Sequence, residues 1–402
     1  MNVHRSILVG LVATASLTGA GVAGCATDGE KLFGPGETDI RIPTPDAGGD
    51  AADDGDAGPC TDCEHFPATC TADVLCMNEL FVASGSFDQR KQVSTIRGRS
   101  ATDVWLGGSL GTIAHYDGLA WQRLDIAARE PVRDFWLGGP AEVSLAALER
   151  QFGRDSGSSP VSWQARPAPT SPAEYGWWQR VLRSTWAAPG AAWLWGATEE
   201  TRCQAPNCFN KPELRTSGLW RVKLTSPSEI QTGISAELCE AIACVSMASI
   251  HGASASTLWA VGQNGAALRI TDPDAETPVV RALNTQTWVA LHGVWAAGDN
   301  DVWAVGANGT VRHYTGDPVL WETVPGVPTN EDLRAVWGSS SSDVWAVGDG
   351  ATVLHYDGKA WSRVKIAGLG ARRPQLTAVW VASPGHVWIG GQGVVLSLGG
   401  VP

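Results

Sequence analysis

Hydrophobic and polar residues alternate along this chain in short bursts, each closed by glycine, serine or an Asp-Gly pair. The pattern is clearest in residues 333–364, which read as "LRAVWG", "DVWAVG", "TVLHYDG" and "AWSRV" with turn residues between them. Alternation over five or six residues predicts a strand with one buried face, and the punctuation predicts hairpins. Runs with a helical period are sparse.

The four pieces recur. Aligning the second-strand tryptophans places Trp259, Trp303, Trp345 and Trp388 at steps of 44, 42 and 43 residues, and the same frame continues upstream at Trp195, Ser144 and Trp105. That spacing is one four-stranded propeller blade per unit. Isolated hairpins of this length cannot bury both faces, whereas blades stacked in a ring can. The expected fold is therefore all-β, a seven-bladed β-propeller over residues 80–402. Its last unit stops after "VVLSLGG", one strand short, and "LFVAS" at 80–84 is the expected N-terminal strand that closes it.

Composition agrees with many short strands. Twenty Trp and 47 Gly stand against three Met and seven Phe, with 44% hydrophobic residues overall. The repeat also explains its own chemistry-bearing residues. His115, His313 and His355 occupy one repeat position, each followed by Tyr, and a histidine that recurs with the blade belongs to blade packing rather than to a single catalytic site.

Of the formal charge of −12, residues 26–59 carry −7, with nine acidic and two basic side chains. This segment has little to bury and is expected to be a solvated tether reaching roughly 30 Å. Its "DDGDAG" lacks the ligand spacing of a calcium loop. No basic field that would bind nucleic acid remains elsewhere. Residues 1–25 have a charged start, a short apolar stretch and small residues before Cys25, the pattern of a secretory signal. "VAGC" resembles the bacterial lipobox, which implies lipidation of Cys25. With Ala26 rather than Asp after it, the resemblance implies the outer membrane.

Setting Cys25 aside leaves eight cysteines, suited to an oxidising compartment. Cys60, Cys63, Cys70 and Cys76 lie in a separate segment, 60–79. There the C-x2-C start would suit zinc, but the second spacing does not match, and two disulfides are expected. Cys203, Cys208, Cys239 and Cys244 are expected either to bond across loops or to close locally.

"GTIAHYDGLAW" and "ATVLHYDGKAW" resemble the Asp-box, or BNR-type, propeller repeat, with an Asp-Gly turn before a Trp. Together with "DVWAVG" they are similar to secreted bacterial propellers related to the photosystem assembly factor group and, more distantly, to sialidases. The resemblance spans about residues 80–402 and is strongest in units one, five and six. The Asp-box proper has one more residue between Asp and Trp, and kelch-like or tectonin-like propellers are the alternative relatives. A sialidase relationship would imply an Arg triad, a Tyr–Glu pair and an acidic residue. Tyr175 is the only candidate nucleophile outside the repeat, an enzyme reading would bring Glu149 or Tyr175 near the arginines, and no catalytic set is assigned.

Departures from the repeat locate the candidate site. The second position of each first strand reads Ser94, Arg133, Arg183, Ala248, His292, Arg334 and Thr377. Three Arg and a His at one level of a channel could hold a carboxylate or sulfate. Alternatively, each Arg stacks on Trp or pairs with an acid such as Asp134. Units two and three are stretched to 51 and 64 residues by loops carrying Tyr175, Trp177, Trp178, Arg202 and Phe209. Those loops either form a recognition surface or cover blade edges. The function expected is a binding or interaction module for a glycan, anionic polymer or envelope protein, anchored to the membrane through its lipid. The alternatives are a hydrolase or lyase on acidic sugars and an envelope assembly scaffold. No cofactor or metal motif stands out, and oligomeric state is left open.

Overall fold

The computed structural model describes residues 62–78, 80, 91–124, 126, 129–138, 141–155, 162–203, 217–223 and 227–399. All lie in the compact unit Cys60–Pro402. Cys25, the acidic segment 26–59, Cys60, Cys208, Phe209 and residues 81–84 fall outside the described residues. Among those described, no helix is long and apolar enough to cross a membrane.

Seven sheets form a seven-bladed β-propeller, six of them antiparallel with four strands and one with five among the described residues. The first strands, lining the channel, are Val93–Ser100, Asp134–Trp136, Trp178–Trp186, Met247–His251, Leu291–Gly298, Leu333–Ser340 and Leu376–Ser383. Blade six shows how the sequence builds each sheet: Leu333–Ser340 pairs with Asp343–Gly348, which pairs with Val353–Tyr356 and then Trp361–Arg363. In "DVWAVG" the residues Val344, Trp345, Ala346 and Val347 are all buried, because neighbouring blades cover both faces of the sheet. The Asp-Gly turn follows: Asp357 accepts from the backbone N–H of Lys359 (2.9 Å) and Ala360 (3.0 Å), with Gly358 at φ +89°. Asp117 and Asp317 make the same pair of bonds in blades one and five.

The missing strand of blade seven comes from the N-terminal side, but from Leu75–Met77. Leu75 pairs with Leu398, Cys76 with Ser397 and Met77 with Leu396, antiparallel to Val394–Leu398. Ile366–Ala367 then adds a fifth strand, parallel to the first two residues of this closing strand. The last blade would otherwise expose an edge, and Leu75 and Ile366, both fully buried, gain about 1.5–3 kcal/mol each from covering it. A small latch reinforces the closure. Cys70 is bonded to Cys76, Arg373 makes two 2.9 Å bonds to Asp62, and the same guanidinium lies 3.5 Å over Phe66. Leu80, the first residue of "LFVAS", packs instead in the core between blades seven and one.

Candidate functional site

The recurring His, Trp and Asp form one repeated packing unit. His115, His313 and His355 stack on Trp105, Trp303 and Trp345 with ring centroids 4.2, 3.9 and 4.3 Å apart. Their Nε2 atoms lie 2.9, 2.7 and 2.7 Å from Asp103, Asp301 and Asp343. Burial pushes the Asp103 carboxyl up, but hydrogen bonds from His115 and Arg99 outweigh it and hold it well below the usual range. In blades three and four, Arg221 and Arg269 take the ladder position of the histidine, opposite Trp195 and Trp259. A planar cationic or imidazole group on tryptophan is thus the shared wedge.

The second residue of each first strand behaves differently, for a backbone reason. In six blades the register against the second strand shifts across this residue, leaving Ser94, Arg183, Ala248, His292, Arg334 and Thr377 as the extra residue of a bulge. In blade two, Arg133 stands just before the strand, its N–H bonded to the Leu145 carbonyl at 2.7 Å. A bulge re-aims a side chain that alternation would direct elsewhere. All seven residues accordingly line one open vestibule of about 420 Å³ at the channel mouth.

The mouth is not a uniform positive field. Arg183 is paired with Glu199, its Nε at 2.8 Å, and Arg334 is paired with Asp349 (2.6 Å) and Asp332 (3.1 Å). Gln375 supports Asp349 at 2.9 Å. Three acids thus surround two arginines, although none is Asp134. Arg133 has no acidic partner among the described residues. Burial and the neighbouring charge of Arg183 lower its pKa. Burial, then Arg334, depresses the His292 imidazole as well, and its buried Nε2 has no hydrogen-bond partner among the described residues. Among the described residues at this level, Arg133 thus lacks an acidic partner and the buried His292 Nε2 lacks a hydrogen-bond partner.

Asp134 sits deeper. Only 1% exposed, it accepts from Thr95 Oγ1 (2.8 Å), Thr185 N (2.7 Å) and Arg97 Nη2 (3.1 Å), tying blades one, two and three together. At the fifth position of the first strands the residues are Arg97, Trp136, Trp186, His251, Trp295, Trp337 and Trp380. Trp337 of blade six meets His251 of blade four (4.8 Å, edge-on) and Arg97 of blade one (5.1 Å), neither from an adjacent blade. It therefore spans the channel. Above it lies a chamber of about 80 Å³ walled by both levels. His251 accepts from Ala296 N at 3.1 Å, and burial, then Arg97, depresses its pKa to about 3.

The stretched units place their residues unevenly. Tyr175 does not face a ligand. It is 8% exposed, its ring packs edge-on against Trp220 at 4.8 Å, and its hydroxyl donates to Glu149. Burial, then the Glu149 charge, pushes the phenol well above 10, opposite to what a nucleophile needs. Neither Tyr175 nor Glu149 lines the channel, so the sequence-based pairing of Tyr175 with the arginine level does not form. Arg180 lies 4.8 and 4.6 Å over Tyr175 and Trp220, and it pairs with Glu200 at 3.4 Å.

The hairpin Trp178–Trp186/Trp193–Cys203 is longer than its counterparts. It runs five residues beyond Arg183, roughly 16 Å, toward Trp177, Trp178 and Arg202, whose side chains lie outside the description. That extension supplies Glu199. Cys239 and Cys244 close locally to each other, around the short helix Ala236–Ala241. Among the described residues no cluster of three His, Cys, Asp or Glu could hold a metal.

Neither a family model nor a curated protein matches this chain. Solved structures do. YCF48 from Cyanidioschyzon merolae is similar at a TM-score of 0.54 and 13% identity, over 77% of this chain and 96% of that one. A structure of YCF48 bound to D1 peptide gives 0.56 and 14%, over 83% and 96%. The WD40 repeats of RRP9 give 0.52 and 9%, over 76% and 94%. At these identities the likeness is one of fold, and it defines the class: a seven-bladed β-propeller.

Proposed function

We propose that this propeller is a binding module of the cell envelope, anchored at the outer membrane through Cys25, that takes an acidic group of an envelope protein at its channel mouth. Arg133 carries the proposal. It is a half-buried guanidinium without an acidic partner among the described residues, facing an open vestibule that His292 also lines. Leaving such a group unpaired is costly, and an incoming carboxylate relieves the cost with two forked hydrogen bonds. The long blade-three hairpin adds a wall against which a peptide can lie. A propeller of this fold, YCF48, is known bound to a peptide.

Calorimetry of the full chain with acidic peptides, acidic polysaccharides and neutral counterparts, at low and moderate salt, tests the reading. Expected is salt-sensitive binding of an acidic peptide that weakens at least tenfold in Arg133→Ala. Binding indifferent to that substitution, or confined to polysaccharides, overturns it. Anchoring is checked separately by palmitate labelling in a bacterial host, expected to disappear in Cys25→Ser.

A further inference from the structure

Three residues further along the same first strands, the channel is lined differently. At the fifth position, five of the seven first strands carry tryptophan, and in three of them, Trp186, Trp295 and Trp380, the ring lies over the sixth residue of the following blade. A Cβ added to Gly98 would meet Trp380 at 2.5 Å, one at Gly338 would meet Trp295 at 2.7 Å, and one at Gly252 would meet Trp186 at 3.1 Å. Two blades break this girdle, with different results. In blade four, His251 is buried and held by the Ala296 N–H and the edge of Trp337, so its place is filled. In blade one, Arg97 is drawn to Asp134 and onto the Trp337 ring, and it does not cover blade two as a tryptophan would. A cavity of about 210 Å³ opens there, walled by Trp136, Trp186, Trp337, Trp380, Leu137 and Arg97.

We propose that this cavity is a socket for one neutral aromatic side chain presented by a partner peptide. Its volume suits a single ring, below the ~300–1,000 Å³ of a drug-sized pocket. Its position is the one a blade-one tryptophan would take, so an inserted ring completes an aromatic girdle that the repeat prepares. Tryptophan edges and the Arg97 guanidinium favour a π-system over an aliphatic group. Sugar hydroxyls would need acceptors, and the nearby carboxylates are spent, whereas the wall's buried Trp136 Nε1 is a donor that one phenolic oxygen can meet. Asp134 serves Arg97, Thr95 and Thr185, while Glu142 serves Arg99 and Arg154.

The test uses ligand-observed NMR titration of the full chain with p-cresol and its saturated counterpart, 4-methylcyclohexanol. Expected is saturable p-cresol binding with a dissociation constant on the order of 1 mM, at least fivefold tighter than the saturated alcohol. Ala187→Phe, which fills the cavity from its half-exposed wall, should weaken p-cresol at least tenfold while Trp288→Ser, on the exposed loop before blade five, leaves it unchanged. Should Ala187→Phe fail to fold, Leu137→Phe fills the same space from the other side. Equal affinity for the two alcohols, or p-cresol binding untouched by the filling variant, overturns the proposal.

Discussion

Two levels of the channel use the same seven strands, three residues apart, yet one level is polar and the other aromatic. At the mouth, a bulge in six of the seven first strands re-aims the second residue, and its identity varies from Ser94 to Arg334. At the fifth position no bulge intervenes, blades press on one another, and tryptophan recurs. Variation in a repeat protein is therefore tolerated where the backbone releases a side chain, and that is where a site can be placed. The second departure, Arg97, sits at the constrained level, and there the substitution leaves a cavity.

Substitutions can break this contrast. Trp337→Ala should have the largest effect, about 3–5 kcal/mol lost in denaturant unfolding, because a channel-spanning ring leaves a cavity behind. Ser94→Ala at the mouth should stay within about 0.5 kcal/mol.

Acid sharpens the contrast next. His251 is neutral when folded, with a pKa of about 3, while the unfolded chain takes up its proton near 6.5. The unfolded state thus binds more protons between those values, and stability falls as pH drops through that window. Between pH 7 and pH 4 this amounts to about 3 kcal/mol, and unfolding curves of His251→Asn, which keeps an acceptor for Ala296 N, should lose that slope. His292, at the looser mouth, is also depressed by burial and should contribute with the same sign but less.

Within the mouth itself the arginines should differ in sign. Arg334→Ala strands Asp349 and Asp332 and should cost about 1 kcal/mol after allowance for solvent screening. Arg133→Ala removes a repelled, unpaired charge and should be neutral or slightly stabilising in thermal melts. The smallest effect is expected at Trp288, 88% exposed in the loop before blade five, where Trp288→Ser should fall within about 0.5 kcal/mol.

Much of this was legible in the chain. The period set by Trp259, Trp303, Trp345 and Trp388 is blade geometry, and His115, His313 and His355 recur because packing recurs. Position two could be aligned without the structure. Its bulge could not, since no residue type marks it, and neither could the partners Glu199 and Asp349, which lie on second strands or just beyond and meet the arginines only through register. "LFVAS" had the better strand composition for closure, but pairing with Leu398 fell to the shorter "LCM", which is fastened by the Cys70–Cys76 bond. Tyr175 looked free because it stands outside the repeat, yet the stretched loop returns it to the core beside Trp220.

The central claim is that Arg133 and His292 form the receptive part of the mouth. An NMR titration of the His292 ring against pH, with and without sulfate, tests it most directly. The account predicts a titration midpoint below the usual histidine value that rises when sulfate is added, and no rise in Arg133→Ala. A midpoint indifferent to sulfate in the unaltered protein, or a rise that survives Arg133→Ala, would contradict it.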